Sequence, residues 1–561
     1  MKEQDTIKQK GVEKVKKKSV LLALLVLSLV FMMVIGCQDV EEPAADDDES
    51  GVDEPVDDVD DEDAEDDSGM IEAGDEIVVA LEAEPTSLDP FNSTDGVSTS
   101  VQKTMFEGLL KFDENLQIAP FLAESYEYNE DATEIRFVLR ENVTFHDGTP
   151  LNAEVVKANF DFVLDPDNGL ARRSFFNFIK EVEVAGEFEV ILHATEANAS
   201  MASYLAHPTA GMKSLEEINK KIEDPDYNLD RSAIGTGPFK YVEWLDGQHV
   251  LVEKNDDYWN QDAMARVENI KFTSVQEAST RVNQLRVGEV HFVDTLPTGD
   301  ADDLMGAEHV TVFSGPSMNV FYIGMNLQED KYENEAVRHA MNHAIDKDQL
   351  IAQVVDGFGR VADSAIAPPV YGYSPQEVYE YDVDLAKSLM DEGGMAEGFE
   401  ATLWTRNSTE FTAIAEFVAM QLREIGIEVD VQAYESGTLF DMLDNNDGTD
   451  LWIGRWSPGT GEADWGLRPN FASDRVPPNY NNSGFYINEE IDDLLNAALS
   501  NPDEAERLEL YRQAQEIIYK DAPWVFLHVV DAVAAQRAEV GGIYIMQDGS
   551  VDMNGVHFIN Q

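Results

Sequence analysis

From about residue 75 the chain alternates two hydrophobic periods. Glu76-Ile77-Val78-Val79-Ala80-Leu81 is a short apolar run halted by Glu84-Pro85, which marks an opening strand. Ile135-Arg136-Phe137-Val138-Leu139 alternates and reads as a second strand, ended by the turn residues His146-Asp147-Gly148-Thr149-Pro150. Over residues 152–163 the spacing becomes helical, placing Val155, Val156, Phe160 and Val163 on one face; Phe188-Glu189-Val190-Ile191-Leu192 then returns to strand. Farther on, residues 334–351, 408–425 and 503–520 read as amphipathic helices. The second of these aligns Phe411, Ile414, Ala415, Val418, Leu422 and Ile425. No internal repeat of fixed period is apparent. Strands interleaved with helices over this length predict an α/β protein of two or more domains.

The first 75 residues follow a different pattern. A basic segment ending in Lys14, Lys16, Lys17 and Lys18 precedes an almost unbroken apolar run, residues 19–36. Such a run suits a signal-sequence core or a single short membrane helix. Val34-Ile35-Gly36-Cys37 resembles the bacterial lipobox, in which the cysteine is lipidated and becomes the new N-terminus. Residues 1–36 are therefore expected to be a lipoprotein signal peptide and Cys37 a lipidation site, anchoring an extracytoplasmic protein to the bacterial cell membrane. An uncleaved signal anchor is the alternative. Cys37 is the only cysteine. The body therefore has no internal disulfide, no thiol nucleophile and no cysteine-based metal site.

Charge adds a further division. The formal charge is −71, from 39 basic and 110 acidic residues, and residues 39–67 carry 18 acids and no base. Like charges extend such a segment, and it has too little apolar surface to offset chain entropy. Residues 37–74 are thus expected to be the lipidated cysteine and a disordered acidic spacer. Removing residues 1–36, with seven lysines and three acids, and then the 18 acids, leaves the body near −57. Nucleic acid is excluded as a partner, since phosphate binding needs clustered Lys and Arg. An organism living at high salt, where screening makes such self-repulsion tolerable, is the reading this charge supports.

Several ordered motifs in the body resemble the family 5 extracellular solute-binding proteins of ABC importers. These are Glu84-Pro85-Thr86-Ser87-Leu88-Asp89-Pro90, Phe106-Glu107-Gly108-Leu109, Leu122-Ala123-Glu124-Ser125-Tyr126, Phe145-His146-Asp147-Gly148-Thr149, Gly235-Thr236-Gly237-Pro238-Phe239 and the stretch Val337 to Lys347. The family includes dipeptide-, oligopeptide-, nickel- and glutathione-binding members. Ala206-His207-Pro208-Thr209, the loop Trp456 to Trp465, Phe471-Ala472-Ser473 and Gly542-Ile543-Tyr544-Ile545-Met546 resemble the glutathione-binding group in particular. The resemblance implies a two-lobed periplasmic-binding-protein-like fold (class II) with an extra subdomain inserted in the N-terminal lobe. Mapped onto this chain, lobe I takes 75–115, 234–320 and 525–561; the inserted subdomain takes 116–233; lobe II takes 321–524. It further implies a monomer that captures glutathione or a short peptide between the lobes and delivers it to a membrane permease.

Candidate binding residues follow from charge and position. Arg406 succeeds the strand-like Ala401-Thr402-Leu403-Trp404 and precedes the 408–425 helix. A helix N-terminus offers free N–H groups and partial positive charge, and a guanidinium there adds a fork for a carboxylate. The resemblance assigns an arginine in this segment to the ligand carboxylate. It also assigns an acid in the later loop to the ligand ammonium, leaving Glu462 and Asp464 as alternatives. Trp404, Trp456 and Trp465 flank these positions and are candidates for covering the ligand with apolar area. Glutathione carries a net negative charge, so an acidic protein needs local positive potential; Arg455 and Arg468 are candidates beside Arg406. His339 and His343 lie four residues apart, as metal ligands can, but fall on a face expected to be exposed and polar. No Gly-x-Ser-x-Gly elbow, Walker loop or dinucleotide fingerprint is present. The expectation is no catalytic residue, no metal and no cofactor, with a secreted hydrolase as the distant alternative.

Overall fold

Two strands too long for one lobe organise the chain. Val310–Met325 and Trp524–Arg537, of 16 and 14 residues, pair antiparallel from Val310↔Arg537 to Gly324↔Trp524. Gln536 and Ala535, near the end of Trp524–Arg537, pair with Phe292–Val293, whereas Val320–Met325 borders Leu451–Trp456. One eleven-stranded sheet therefore runs through both lobes. Its order is Ile427–Tyr434, Phe399–Arg406, Leu451–Trp456, Val310–Met325, Trp524–Arg537, Phe292–Val293, Glu76–Leu81, Asn269–Ser274, His249–Lys254 and Phe239–Leu245, with Gly359–Val361 alongside Trp524–Arg537. The pairing of the two long strands slips between Pro316 and Val320.

This computed structural model describes residues 76–113, 117–446, 448–478, 481–546 and 548–559. The expected signal peptide, Cys37 and the acidic spacer lie outside the described residues. Among the described residues, no helix is long and apolar enough to cross a membrane.

Each lobe buries its own core. Ile77, Val79, Phe239, Val252 and Phe272 fill the first lobe. In the second lobe both sheet faces are covered. Leu403, Ile453, Ile414 and Val418 lie on one side, and Trp404, Trp452, Trp524 and Phe526 on the other. Burial on both faces explains why Leu451-Trp452-Ile453 reads as a continuous apolar run rather than an alternating one. A separate four-stranded antiparallel sheet, Ala123–Tyr128, Glu134–Leu139, Glu189–Ala194 and Ile179–Gly186, packs with the helix Ala153–Leu164 around Phe137, Phe160 and Phe176. The fully buried Lys213 of this region reaches both oxygens of Asp89, at 2.7 and 2.8 Å, under the rings of Phe91 and Phe162.

Two sequence expectations need correction. Residues 334–351 form two helices, Glu335–His343 and Lys347–Val354. The break arises because Asp346 caps the second helix, accepting from the Gln349 amide. Lys347 turns inward to the carbonyls of Asn342 and Tyr379. His339 and His343 are half-buried rather than an exposed face. Each packs against Tyr379 and hydrogen-bonds a carbonyl, that of Lys520 or Glu380.

Candidate functional site

The strands Phe399–Arg406 and Leu451–Trp456 run parallel, so their C-terminal ends share one edge of the second lobe. Ligands of open α/β sheets collect at that edge. Arg406 ends the first strand. Ser408 then caps the helix Thr409–Arg423, accepting from the Phe411 amide at 3.4 Å. The Arg406 guanidinium carbon lies 4.6 Å from the Phe411 ring centre and 5.0 Å from that of Phe440. Its Nε is buried without a hydrogen-bond partner. Arg455 stands over the same Phe411 ring at 5.9 Å and over Phe321 at 6.0 Å. Among the described residues neither arginine has a carboxylate in ion-pair range. Burial, then Arg455, lowers the Arg406 pKa. Burial raises that of Glu410 while the two arginines oppose the rise. Two unpaired guanidiniums on one ring make a patch of positive potential in a strongly acidic chain.

The acidic candidates have protein partners. Glu462 is 1 % exposed; its Oε2 accepts from Ser203 Oγ, and its Oε1 lies 3.8 Å from Arg507 Nε. Burial raises its pKa, with Arg507 and Ser203 pulling the other way. Ser203 sits on the helix Met201–Ala206 of the inserted region, so this contact joins that region to the second lobe. Ala199 N–H donating to Leu499 O at 2.7 Å runs beside it, as does Tyr204 meeting the Trp465 ring edge-on at 6.1 Å. Asp464 holds Arg468 through Nη2 at 2.8 Å and Nε at 3.1 Å, which consumes the positive charge Arg468 was expected to offer. Trp404 is core, packed against Tyr434. Trp456 donates from Nε1 to the Gly466 carbonyl at 2.9 Å.

A narrow cleft opens where the lobes and the inserted region meet. Phe106, Phe112 and Phe121 form its apolar wall, and His207 and Pro208 enter from the inserted region. Met318 comes from the crossing strand, Gly459 and Gly461 from the loop before Glu462, and Met546, Asp548 and Asp552 from the C-terminal segment. It leaves room for the centres of only a handful of waters, about 80 Å³. A dipeptide does not fit in that space as it stands. Glu107, at its floor, accepts from Tyr258 Oη, Trp259 Nε1 and Thr236 Oγ1. Burial lifts its pKa to about 7 despite these donors. In the sequence His207 stands out only as part of the Ala206–Thr209 motif. Nothing in a chain of 110 acids marks Asp548 and Asp552 as special.

The model of the bacterial extracellular solute-binding proteins, family 5, matches residues 117–477, more than half of the chain. The chain belongs to family 5 of the bacterial extracellular solute-binding proteins. Among curated relatives of this solute-binding protein, the glutathione-binding protein GsiB of Salmonella typhimurium is 32 % identical over 481 residues, covering 85 % of this chain and 93 % of the relative. GsiB of Pectobacterium atrosepticum is 33 % identical over 482 residues with the same coverage. Among solved structures, HbpA2 from Haemophilus parasuis superposes with a TM-score of 0.80 at 24 % identity, over 86 % of this chain and all of that one, a likeness of fold. The periplasmic binding protein DppA from Helicobacter pylori, in complex with the peptide STSA, has a TM-score of 0.69 at 26 % identity over 86 % of this chain and 98 % of that one. The solved relatives share this chain's fold over most of its length.

Proposed function

We propose that this solute-binding protein captures glutathione or another short peptide in the interlobe cleft and hands it to a membrane permease. The carrying observation is the Arg406–Arg455 pair, which lacks carboxylate partners at the C-terminal edge of the second lobe's strands. Arg406 is half-buried with its Nε fully enclosed and unpartnered among the described residues, and Arg455 beside it is exposed, so a peptide carboxylate arriving from solvent fits the fork they offer. Glutathione supplies two carboxylates to one ammonium, which suits two guanidiniums. The similarity to GsiB supports that choice. A general dipeptide or oligopeptide ligand is the second reading, favoured by the peptide-bound DppA structure. The proposal keeps the two lobes and the inserted subdomain but moves the last boundary from 525 to about residue 530, because Phe526 and Leu527 pack in the second lobe's cores and Val529 and Asp531 face the Pro316–Val320 slip, about which the lobes close.

The test is calorimetric titration with glutathione, a dipeptide and a pentapeptide. Heat from the pentapeptide and none from glutathione would move the assignment to the second reading. The proposal includes a lipid on Cys37 as the tether: mass spectrometry of the membrane-bound protein should find an acylated Cys37 as the N-terminal residue, and a chain that still carries residues 1–36 would argue for an uncleaved anchor.

A further inference from the structure

We propose that the ligand ammonium is received by Asp548, with His207 donating from Nε2 to the neighbouring carbonyl, on the wall shared by the C-terminal segment and the inserted region. This rests on the peptide-binding reading. The acids in the loop before Trp465 are spent elsewhere: Glu462 on Ser203 and Arg507, Asp464 on Arg468. The cleft itself holds two aspartates, and they differ. Asp552 faces Lys103 at 3.6 Å and accepts from the Asn554 amide. Asp548 binds only through Oδ1, to the Ser550 amide at 2.8 Å and the Ser550 hydroxyl at 2.7 Å. Its Oδ2 has no donor and no cation among the described residues, yet the side chain lines the cleft.

His207 is the independent second observation. It is 8 % exposed and lines the same cleft. Its Nδ1 accepts from the Thr209 amide at 3.0 Å, so the neutral ring carries its proton on Nε2. Phe175 packs on the ring at 5.1 Å and holds its plane. Nε2 has no protein partner among the described residues. A fixed N–H donor on the same wall as a carboxylate oxygen with no bonded partner suits the head of a peptide, an ammonium next to a carbonyl; Lys103 and Lys111 also line the cleft, Lys103 facing Asp552. Phe106, Phe112 and Phe121 then offer apolar surface to its first side chain. Arg406 and Arg455 do not line this cleft; on the peptide-binding reading they would take the ligand's other end.

The experiment titrates wild type, Asp548→Asn and Glu462→Gln with glutathione and a dipeptide, each free and N-acetylated. Wild type should prefer the free amine by roughly 10- to 100-fold. Asp548→Asn keeps the acceptor for Ser550 but should erase the preference, leaving the acetylated forms unaffected; Asp548→Ser carries the same expectation should the amide variant unfold. Glu462→Gln should weaken both forms together and keep their ratio. A preference that survives in Asp548→Asn, or vanishes in Glu462→Gln, would overturn the assignment. Wild-type binding without any preference for the free amine would overturn the ammonium site alone. Absence of heat from every peptide, free or acetylated, would sink the peptide reading and this site with it.

Discussion

Ser203→Ala is the cleanest perturbation of lobe closure, because it leaves each body's interior intact. Ser203 Oγ donates to a carboxylate that is 1 % exposed, and the two residues are 259 positions apart on different bodies. When the lobes part, Glu462 keeps Arg507 within its own lobe and the Ser203 hydroxyl falls back on the Ser200 carbonyl, 2.8 Å away. The hydroxyl bond therefore stabilises the closed form only. A hydrogen bond to a charged, buried acceptor contributes about 1.5–3 kcal/mol net. Its loss should shift the closed-to-open ratio by roughly 10- to 100-fold. Stopped-flow release of bound peptide should speed up by most of that factor, since a tighter closed state acts mainly on dissociation. Small-angle scattering of the ligand-free variant should report a radius no smaller than that of wild type. Unchanged release together with an unchanged scattering profile would refute the reasoning and reduce the contact to a neutral one.

Three further outcomes follow from buried groups and from charge. Lys213→Met strands the Asp89 carboxylate in a fully buried site and should cost about 3–5 kcal/mol, read by urea denaturation. Adding Asp89→Asn should recover much of it, and a simple sum of the two losses would argue against a coupled pair. His528 is fully buried, stacked on Phe321 at 4.7 Å, with neither ring nitrogen partnered, and burial lowers its pKa to about 3. Because the unfolded ring titrates near 6.5, the native state loses stability as pH falls from 6.5 toward 3. His528→Phe should therefore be more stable than wild type by about 2 kcal/mol more at pH 5 than at pH 8, and equal pH dependence would contradict this. Melting temperature should rise steeply from low to molar salt as the body's charge, near −57, is screened, and flat melts would remove the high-salt reading.

Element patterns were legible where local periodicity matched burial. Glu76–Leu81, Ala153–Leu164, Thr409–Arg423 and Glu504–Asp521 appear within a residue or two of their sequence expectations. The break at residues 344–346 was hidden because the apolar positions Val337, Met341 and Ile345 continue through it, while Asp346 and Lys347 act through tertiary partners. The long strand Val310–Met325 was equally hidden, since Gly315-Pro316 sits at its centre and its pairing with Trp524–Arg537 lies about 200 residues away. The unpaired Arg406 could be suspected from the junction of strand and helix alone. The occupation of Glu462 and Asp464 could not. One partner, Arg468, lies a single helical turn from Asp464, but Ser203 and Arg507 reach Glu462 only through the fold.

The central claim is that a peptide carboxylate completes the Arg406–Arg455 pair, and calorimetric titration of wild type and Arg406→Ala with glutathione tests it most directly. The account predicts saturable heat for wild type and a loss of at least about tenfold in affinity for the variant. Equal affinity in the two proteins would contradict it.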